Sequence, residues 1–388
     1  MIYFTRVFYC EMGNLWRYSA TMQILPRLIL ALGLFSTSAS AEILVATVGP
    51  MKGQYAALGE QLRRGADMAI SDINAAGGVN GEQLVLDAED DNCDPKVAIE
   101  IASQLVAKGV KLVVGHYCSG SSIAAAKIYE AAGIVMISPS STNPKFTDEG
   151  GWNVNRVCGR DDAQGAFAGR AIARAYAGKS VAILDDGSAQ GAALAKMFKS
   201  ALNAGGVTET VRATYKPGLN DYDPLVQQIL TANADVVYVG GFPGEAGTII
   251  RQLRDLASNA IIVGGDALLV DQFWSIAGTA GEGSLATFAA DPQKLESAKS
   301  VLPKFQAANY NPEGYTLQAY AAVQAYAQAA TATKGFDGKA LSLWLRAGNS
   351  LNTVLGTLNL DAKGDLKDAT YSWYKWSAGK YAEVKPFP

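Results

Sequence analysis

The chain contains a single histidine, His116, and no segment that pairs it with a nucleophile or a set of metal ligands. Only 18% of its 388 residues are charged, the formal net charge is −3, and the basic residues form no cluster. A nucleic-acid partner is therefore not expected. Gly-x-Gly-x-x-Gly, Walker-type, Gly-x-Ser-x-Gly and metal-binding spacings are also missing. We expect no catalytic residue, no metal and no cofactor.

The chain also lacks Gly/Ser-rich linkers, low-complexity tracts and repeats of 20–50 residues. From Glu42 onward, short apolar runs alternate with segments of helical periodicity, which predicts parallel sheets covered by helices on both faces. The fold class predicted is α/β, with two lobes and a cleft between them. The predicted strands lie at 43–48, 84–88, 110–114, 134–137, 181–184, 208–215, 236–239, 261–263, 353–360 and 370–376. The main predicted helices lie at 57–75, 120–132, 162–177, 189–204, 222–232, 244–257, 293–308, 314–333 and 338–346.

Two polar segments follow neighbouring apolar runs. Segment 115–122 (GHYCSGSS) follows the strand at 110–114, and segment 138–144 (SPSSTNP) follows the strand at 134–137. Ligands of open α/β sheets bind at the carboxyl ends of the strands, and helix N-termini there favour carboxylate or phosphate. With no general base beside them, these segments indicate that the protein holds an anionic small molecule and does not convert it.

The N-terminus predicts export. Residues 22–41 combine one positive charge at Arg27, an apolar run at 28–35 and small residues at 38–41, which is typical of a cleaved signal peptide. Residues 1–21 are interpreted as an upstream extension, and cleavage is expected after Ala41. No lipobox cysteine precedes Glu42, so we expect a protein free in the periplasm.

In an exported protein the cysteines can pair. Cys93 and Cys118 each follow a predicted strand, with one helix between, and neighbouring parallel strands would bring them together. We expect a disulfide between these two and a buried, inert thiol at Cys158.

Three pairs of adjacent acids could suggest acid–base chemistry: residues 90–91, 161–162 and 185–186. Such pairs at strand ends and helix starts are expected to be helix caps and solvated loops, because catalytic carboxylates must converge in space.

The chain resembles the periplasmic branched-chain amino-acid (leucine/isoleucine/valine) binding proteins, type I solute-binding proteins of ABC transporters. The resemblance covers essentially all of 42–388. It is carried by segments 72–81 (DINAAGGVNG), 90–95 (DDNCDP), 115–119 (GHYCS), 138–142 (SPSST), 159–165 (GRDDAQG), 240–242 (GGF) and 360–365 (LDAKGD). It implies that the chain crosses three times between lobes, with lobe one at 42–160 and 290–369 and lobe two at 161–289 and 370–388.

The resemblance also implies a site for a zwitterionic amino acid between the lobes. Ser119 and Thr142 would bind the α-carboxylate through hydroxyl and backbone N–H groups. The backbone carbonyl of Ser140 and the carboxylate of Asp266 would bind the α-ammonium. An enclosed ammonium requires such a carboxylate, because an unpaired buried charge is very costly.

The expected side-chain pocket departs from the family pattern. Leu58 stands where the branched-chain binders carry a large aromatic residue, Gln190 replaces a tyrosine, and Asp266 is shorter than the usual glutamate. Tyr117 adds bulk near Ser119, and Phe242 completes the expected pocket. The sequence therefore does not select among three ligand classes: a branched-chain amino acid, an amino acid with a polar side chain and a compound like 4-aminobutyrate.

The sequence thus predicts a non-enzymatic, monomeric amino-acid carrier that serves an ABC permease in the inner membrane. A periplasmic amino-acid sensor is an alternative, since it would use the same closing cleft. An enzyme on a doubly wound α/β fold is a weaker alternative.

Overall fold

The computed structural model describes residues 42–385. The predicted signal peptide at 22–41 and the extension before it lie outside these residues. Within them, the first sheet has five parallel strands in the order β2-β1-β3-β4-β5. These strands are β1 Glu42–Gly49, β2 Gln83–Asp90, β3 Leu112–Gly115, β4 Val135–Ser138 and β5 Val154–Arg156.

Helices follow the first four strands, as the alternating pattern predicts. They are α1 Ala56–Ala75, α2 Pro95–Lys108, α3 Ser119–Ala131 and the short α4 Lys145–Asp148. The start of α2 shows why the sequence folds this way, because the Asp94 side chain accepts a hydrogen bond from the Lys96 N–H at 2.8 Å. Pro95 then occupies the first helical position, where its missing N–H costs nothing.

A second series of strands and helices begins at Asp161. Its strands are β6 Val181–Asp185, β7 Val211–Thr214, β8 Val236–Gly240, β9 Ile261–Gly264 and β10 Leu285–Phe288, and its helices are α5 Asp161–Ala175, α6 Ala189–Ala204, α7 Asp223–Thr231, α8 Pro243–Asp255 and α9 Asp271–Ala277. β6 and β8 are buried throughout, as expected for strands covered by helices on both faces.

The chain then returns to the first sheet and crosses back. The returning elements are α10 Leu302–Ala307, α11 Thr316–Thr333, α12 Gly338–Arg346 and the antiparallel pair β11 Leu351–Thr353 and β12 Gly356–Leu358. α11 packs against α1, β3 and β4. The final strands, β13 Ser372–Ser377 and β14 Lys380–Val384, complete the second sheet in the order β14-β13-β10-β9-β8-β6-β7. Two mostly parallel, helix-covered sheets joined by three crossings confirm the predicted fold class.

Three local predictions were wrong. The single strand predicted over 353–360 is instead the antiparallel pair β11 and β12. The second sheet is not parallel throughout, because β13 runs antiparallel to both β10 and β14. The single helix predicted over 293–308 is instead two 3₁₀ turns followed by α10. Leu295 is extended and separates the two 3₁₀ turns, and Pro303, which lacks the N–H that a continuous helix needs, lies in the first turn of α10.

Candidate functional site

The loops at the carboxyl ends of strands from both sheets enclose a cavity of about 280 Å³. From the first sheet come the loops after β2, β3 and β4; from the second come the loops after β6, β8 and β9. The lining residues are Cys93, Pro95, Tyr117, Cys118, Ser119, Gly120, Ser140, Gly187, Ser188, Ala189, Gln190, Phe242 and Asp266. Asp266 is the only charged residue among them, so any anion bound here meets neutral donors.

The N-terminus of α3 forms one wall of this cavity. Ser119 is the first residue of the helix, and its Oγ accepts a hydrogen bond from the Asn143 N–H at 3.2 Å. The first N–H groups of a helix have no partner within it, and they carry the positive end of the helix dipole. This wall is suited to a carboxylate or a phosphate group.

Hydrogen bonds fix the serine loop after β4 in place. The Ser140 Oγ donates to the Tyr117 carbonyl at 3.0 Å, and the Ser141 N–H donates to the Ser138 Oγ at 2.9 Å. The buried Arg156 guanidinium donates to the Ser141 carbonyl at 2.6 Å. These bonds make the serines part of a fixed wall, because they connect the loop to the backbone of the loop after β3, to itself and to an arginine of β5.

His116, the only histidine of the chain, is used for structure. It is fully buried, with its Nδ1 2.7 Å from the Asp91 carboxylate and its Nε2 3.1 Å from the Tyr129 hydroxyl. Both ring nitrogens are therefore occupied away from the cavity.

Asp266 forms the opposite wall, just after β9. Its Oδ1 accepts a hydrogen bond from the Gln164 Nε2 at 3.1 Å, and its Oδ2 accepts one from the Tyr315 hydroxyl at 2.7 Å. Gln190 Nε2 lies 3.4 Å from the same Oδ2. Burial raises the pKa of Asp266, and the hydrogen bonds from Tyr315 and Gln164 offset part of that rise. All three contacts come from neutral side chains, so the carboxylate has hydrogen-bond donors but no counter-charge beside it.

The structure brings six of the eight predicted ligand residues to this cavity: Tyr117, Ser119, Ser140, Gln190, Phe242 and Asp266. Thr142 lines a neighbouring cavity of about 320 Å³. Leu58 lies fully buried in the hydrophobic core against which α11 packs, outside the lining of either cavity.

The neighbouring cavity lies where the chain crosses between the sheets. Its lining includes residues 157–159, 288–290 and 366–371, one segment from each crossing. Gln164 and Tyr315 also line it, and both bind the Asp266 carboxylate. Gln164 and Tyr315 therefore lie between the two cavities, and they link Asp266 to the region where the chain crosses between the sheets.

Further contacts join the two sides across the site. The Tyr55 ring lies 4.7 Å from the Phe242 ring, and its hydroxyl donates to the Glu245 Oε1 at 3.1 Å. Asn143 Nδ2 donates to the Ala189 carbonyl at 2.6 Å. The sequence does not predict three residues of the site, because nothing in their local sequence indicates long-range pairing. They are Tyr55, Glu245 and Tyr315. Gln164 could have been found, because it lies in the segment 159–165 that carries part of the family resemblance.

The predicted disulfide is confirmed, although by a different geometry. Cys93 and Cys118 are bonded, with Cα atoms 5.4 Å apart. The strands that precede them, β2 and β3, are not neighbours, because β1 lies between them. The disulfide therefore spans β1 and ties the start of α3 to the loop after β2. Cys158 is a free buried thiol, and burial raises its pKa to about 12.

The prediction that the paired acids are solvated was wrong for four residues. Asp91, Asp161, Asp185 and Asp186 are all buried. Asp185 and Asp186 still shape their loop, since they accept hydrogen bonds from the Gly187 and Ser188 N–H groups, each at 2.9 Å.

Two helix-covered sheets with a polar cavity between their strand ends define a two-lobed binding protein for small molecules. The chain matches the periplasmic binding protein family model over residues 42–380. It belongs to that family, and the predicted resemblance is confirmed.

Individual relatives agree with this placement. A Leu/Ile/Val-binding protein homolog 1 of Brucella suis is 41% identical over 345 residues, covering 89% of this chain and 93% of that protein. An amino acid binding protein of Pseudomonas aeruginosa is 40% identical over 353 residues, covering 90% of this chain and 94% of that protein. The branched-chain amino acid transporter substrate binding protein LivJ of Streptococcus pneumoniae, solved in complex with isoleucine, aligns with a TM-score of 0.80 at 25% identity. That alignment covers 89% of this chain and 100% of LivJ.

No helix within residues 42–385 has the length and hydropathy needed to cross a lipid bilayer. Within the same range, no three or more histidine, cysteine or acidic residues are grouped so that they could hold a metal ion.

Proposed function

We propose that this protein is the substrate-binding component of an amino-acid ABC transport system. It captures a zwitterionic amino acid between two lobes, which close over it, and delivers the amino acid to a membrane permease. Lobe one comprises residues 42–160 and 290–369, and lobe two comprises 161–289 and 370–388. The protein acts in the periplasm as a monomer after cleavage of the signal peptide at 22–41, and it catalyses no reaction.

The observation that carries this proposal is the arrangement of opposite polarity across one small cavity. The α3 N-terminus with Ser119 offers donors to a carboxylate, and Asp266 on the facing wall offers a negative charge to an ammonium. A carboxylate held by neutral dipoles and an ammonium held by an acid match the two charged groups of a zwitterion. The names of the Brucella and Pseudomonas relatives and the isoleucine bound to LivJ support an amino acid as the ligand.

Closure follows from how the site is divided. Ser119 and Ser140 follow strands of the first sheet, whereas Gln190, Phe242 and Asp266 follow strands of the second. A ligand that contacts both walls stabilises the closed arrangement, because its contacts with one wall are lost when the walls separate. The contacts of Tyr55 with Phe242 and Glu245 add to the closed form.

A thermal-shift screen of the twenty amino acids and 4-aminobutyrate tests this proposal. A ligand present at 100 times its Kd stabilises the folded state by about 2.7 kcal/mol, so a cognate amino acid should raise the melting temperature by several degrees. Asp266→Asn should lose most of that shift. A screen in which no amino acid changes the melting temperature would contradict the proposal.

A further inference from the structure

The cavity of about 320 Å³ at the crossings, called the hinge cavity below, is distinct from the proposed amino-acid site, and the two share no lining residue. One segment of each crossing contributes to its wall, at 157–159, 288–290 and 366–371. Its volume reaches the range of small-molecule sites, which begins at about 300 Å³. Because the lobes would move about these crossings, a molecule bound here would contact every connection between them.

The wall of the hinge cavity is mostly apolar and includes no buried charge. Aromatic rings come from Phe288, Tyr315 and Tyr371, and leucine, alanine, valine and proline side chains line much of the rest. The charged residues of the lining are Lys367 and Asp368, and both are exposed to solvent. An uncharged, largely aromatic molecule therefore fits this wall, because a charged group would lose its hydration without gaining a buried partner.

Three leucines of this lining remain partly open to solvent. Leu295 is 38% exposed, and Leu355 and Leu366 are half-buried. A single exposed leucine is common on a protein surface, but three around one cavity form an apolar patch. A bound apolar molecule would remove this patch from water, which favours binding.

Three polar side chains of the wall already have partners within the protein. Gln164 Nε2 and the Tyr315 hydroxyl donate to the Asp266 carboxylate at 3.1 and 2.7 Å. The Tyr371 hydroxyl donates to the Arg160 carbonyl at 2.9 Å and accepts a hydrogen bond from the Arg160 N–H at 2.8 Å. These groups are therefore not free to bind a molecule in the cavity.

Gln318 differs from these three residues. It lies in the first turn of α11, lines the hinge cavity and is only 3% exposed, yet its Oε1 has no hydrogen-bond partner among residues 42–385. Buried side-chain polar atoms are almost always paired. The terminal torsion of a glutamine is broad, so the amide can turn either polar atom toward the cavity. An unpaired amide in an apolar wall is suited to a molecule with one hydrogen-bonding group.

We propose that the hinge cavity is a second binding site, for a small, uncharged aromatic molecule whose one hydrogen-bonding group pairs with Gln318. The bound molecule also strengthens amino-acid binding, and this part of the inference rests on the proposed function. It contacts Gln164 and Tyr315, which hold Asp266 on their other side, so it keeps the donors of Asp266 in place. By linkage, the amino acid strengthens binding in the hinge cavity by the same factor.

Indole and indene are the two probes that test the site. Indole carries one N–H donor, and indene has the same shape without a polar atom. In NMR titrations of the purified protein, with and without its cognate amino acid, indole should bind about 3- to 10-fold more tightly than indene. Gln318→Met keeps the side-chain volume but removes the amide, so it should bind both probes within about 2-fold of each other. Gln104→Met is the matched control, because Gln104 is exposed on α2, and it should keep the preference for indole.

Calorimetric titration of the amino acid with and without saturating indole measures the coupling, and its Kd should fall about 2- to 5-fold when indole is bound. An amino-acid affinity that indole leaves unchanged would overturn the coupling. Absence of indole binding, equal binding of indole and indene, or an unchanged preference in Gln318→Met would overturn the site. Displacement of indole by the amino acid would also overturn it, because indole would then occupy the amino-acid cavity.

If Gln318→Met does not fold, the comparison of indole with indene on the unaltered protein decides. A preference for indole that persists with the amino acid bound supports the site, and equal binding of the two probes contradicts it. Failure of every amino acid to bind would overturn the proposed function, whereas the comparison of indole with indene would still test the hinge cavity.

Discussion

At the scale of residues, the site depends on buried acids held by neutral donors. Asp266 is buried, yet its partners Gln164, Gln190 and Tyr315 carry no charge. Neutral donors orient the carboxylate and leave its charge available to a cation, whereas an arginine in their place would compete with the ligand. Asp266 can therefore bind an ammonium without first breaking an ion pair.

Tyr315→Phe tests whether these donors matter for binding. The change removes the hydroxyl that donates to Asp266 Oδ2 at 2.7 Å, so the ionised carboxylate becomes less favourable and affinity for the cognate amino acid should fall about 10-fold. Tyr320→Phe is the control, because Tyr320 lies on α11, which begins directly after Tyr315, and its hydroxyl donates to Asp72 away from the cavity. Equal affinities of the two variants in calorimetric titration would show that Tyr315 does not support the site.

Asp186 provides a test of pH dependence. Burial and the charge of Glu245 raise its pKa to about 6, and hydrogen bonds from Ser188 offset part of the rise. A carboxyl whose pKa is higher in the folded than in the unfolded state favours folding while protonated, and this contribution is lost as pH rises from about 4 to about 6.

Asp186→Asn should therefore leave the free energy of unfolding unchanged near pH 4 and raise it by about 1–3 kcal/mol at pH 7.5. Urea denaturation at the two pH values measures this difference. The exposed Asp223→Asn should show no such dependence, and a destabilised Asp186→Asn at pH 7.5 would contradict the account.

At the scale of elements, the important features are where strands end and helices begin. The polar segments at 115–122 and 138–144 could be placed at a ligand-binding edge from sequence alone, because hydrophobic runs fix the preceding strands. The burial of Asp161 could not be predicted from sequence, because an acidic residue at the start of a helix is equally typical of a solvent-exposed cap. Only the packing of α5 against the second sheet puts it in the interior. The strand at 370–376 was predicted, but its antiparallel direction was not, because alternation of residue types does not reveal strand direction; β14 was not predicted.

The disulfide between Cys93 and Cys118 belongs to this scale, since it joins the loop after β2 to the start of α3. Replacing both cysteines by serine should lower the free energy of unfolding by about 3 kcal/mol, because the unfolded chain loses a constraint. Urea denaturation with and without reductant measures the effect. The reductant should destabilise the unaltered protein and leave the double variant unchanged. A double variant as stable as the unaltered protein would show that the cross-link contributes little.

At the scale of the whole molecule, the two sheets are joined by three crossings of the chain, which we propose act as a hinge. After β10 the chain returns to the first sheet, and α11 packs there. Only the family resemblance predicted this return, because the local sequence does not indicate which sheet a helix covers. The pairing of Tyr55 with Glu245 and of Tyr315 with Asp266 depends on this long-range topology. For this reason six of the eight predicted ligand residues line one cavity, whereas the residues that hold them in place by long-range contacts were not predicted from sequence.

Small-angle scattering tests the motion that this topology permits. Addition of a saturating amino acid should lower the radius of gyration, because contacts made across the cleft exist only in the closed form. Glu245→Gln, which weakens the acceptor of the Tyr55 hydroxyl, should close less completely at the same ligand concentration. Scattering curves that coincide with and without ligand would indicate a rigid cleft.

The most direct test of the whole account is the calorimetric affinity of Asp266→Asn for the cognate amino acid. This change keeps the size of the side chain and one acceptor oxygen, but it removes the charge that faces the ammonium and places an NH2 donor at one of the two positions where the carboxylate accepts hydrogen bonds. Affinity should fall by about 10- to 1000-fold, since breaking a buried ion pair costs about 3–5 kcal/mol and a hydrogen bond to a charged group contributes about 1.5–3. Ser119→Ala should lower the affinity less, because the N–H groups of the helix remain. The exposed Asp271→Asn should leave the affinity unchanged. An Asp266→Asn protein that binds the amino acid as tightly as the unaltered protein would contradict the central claim.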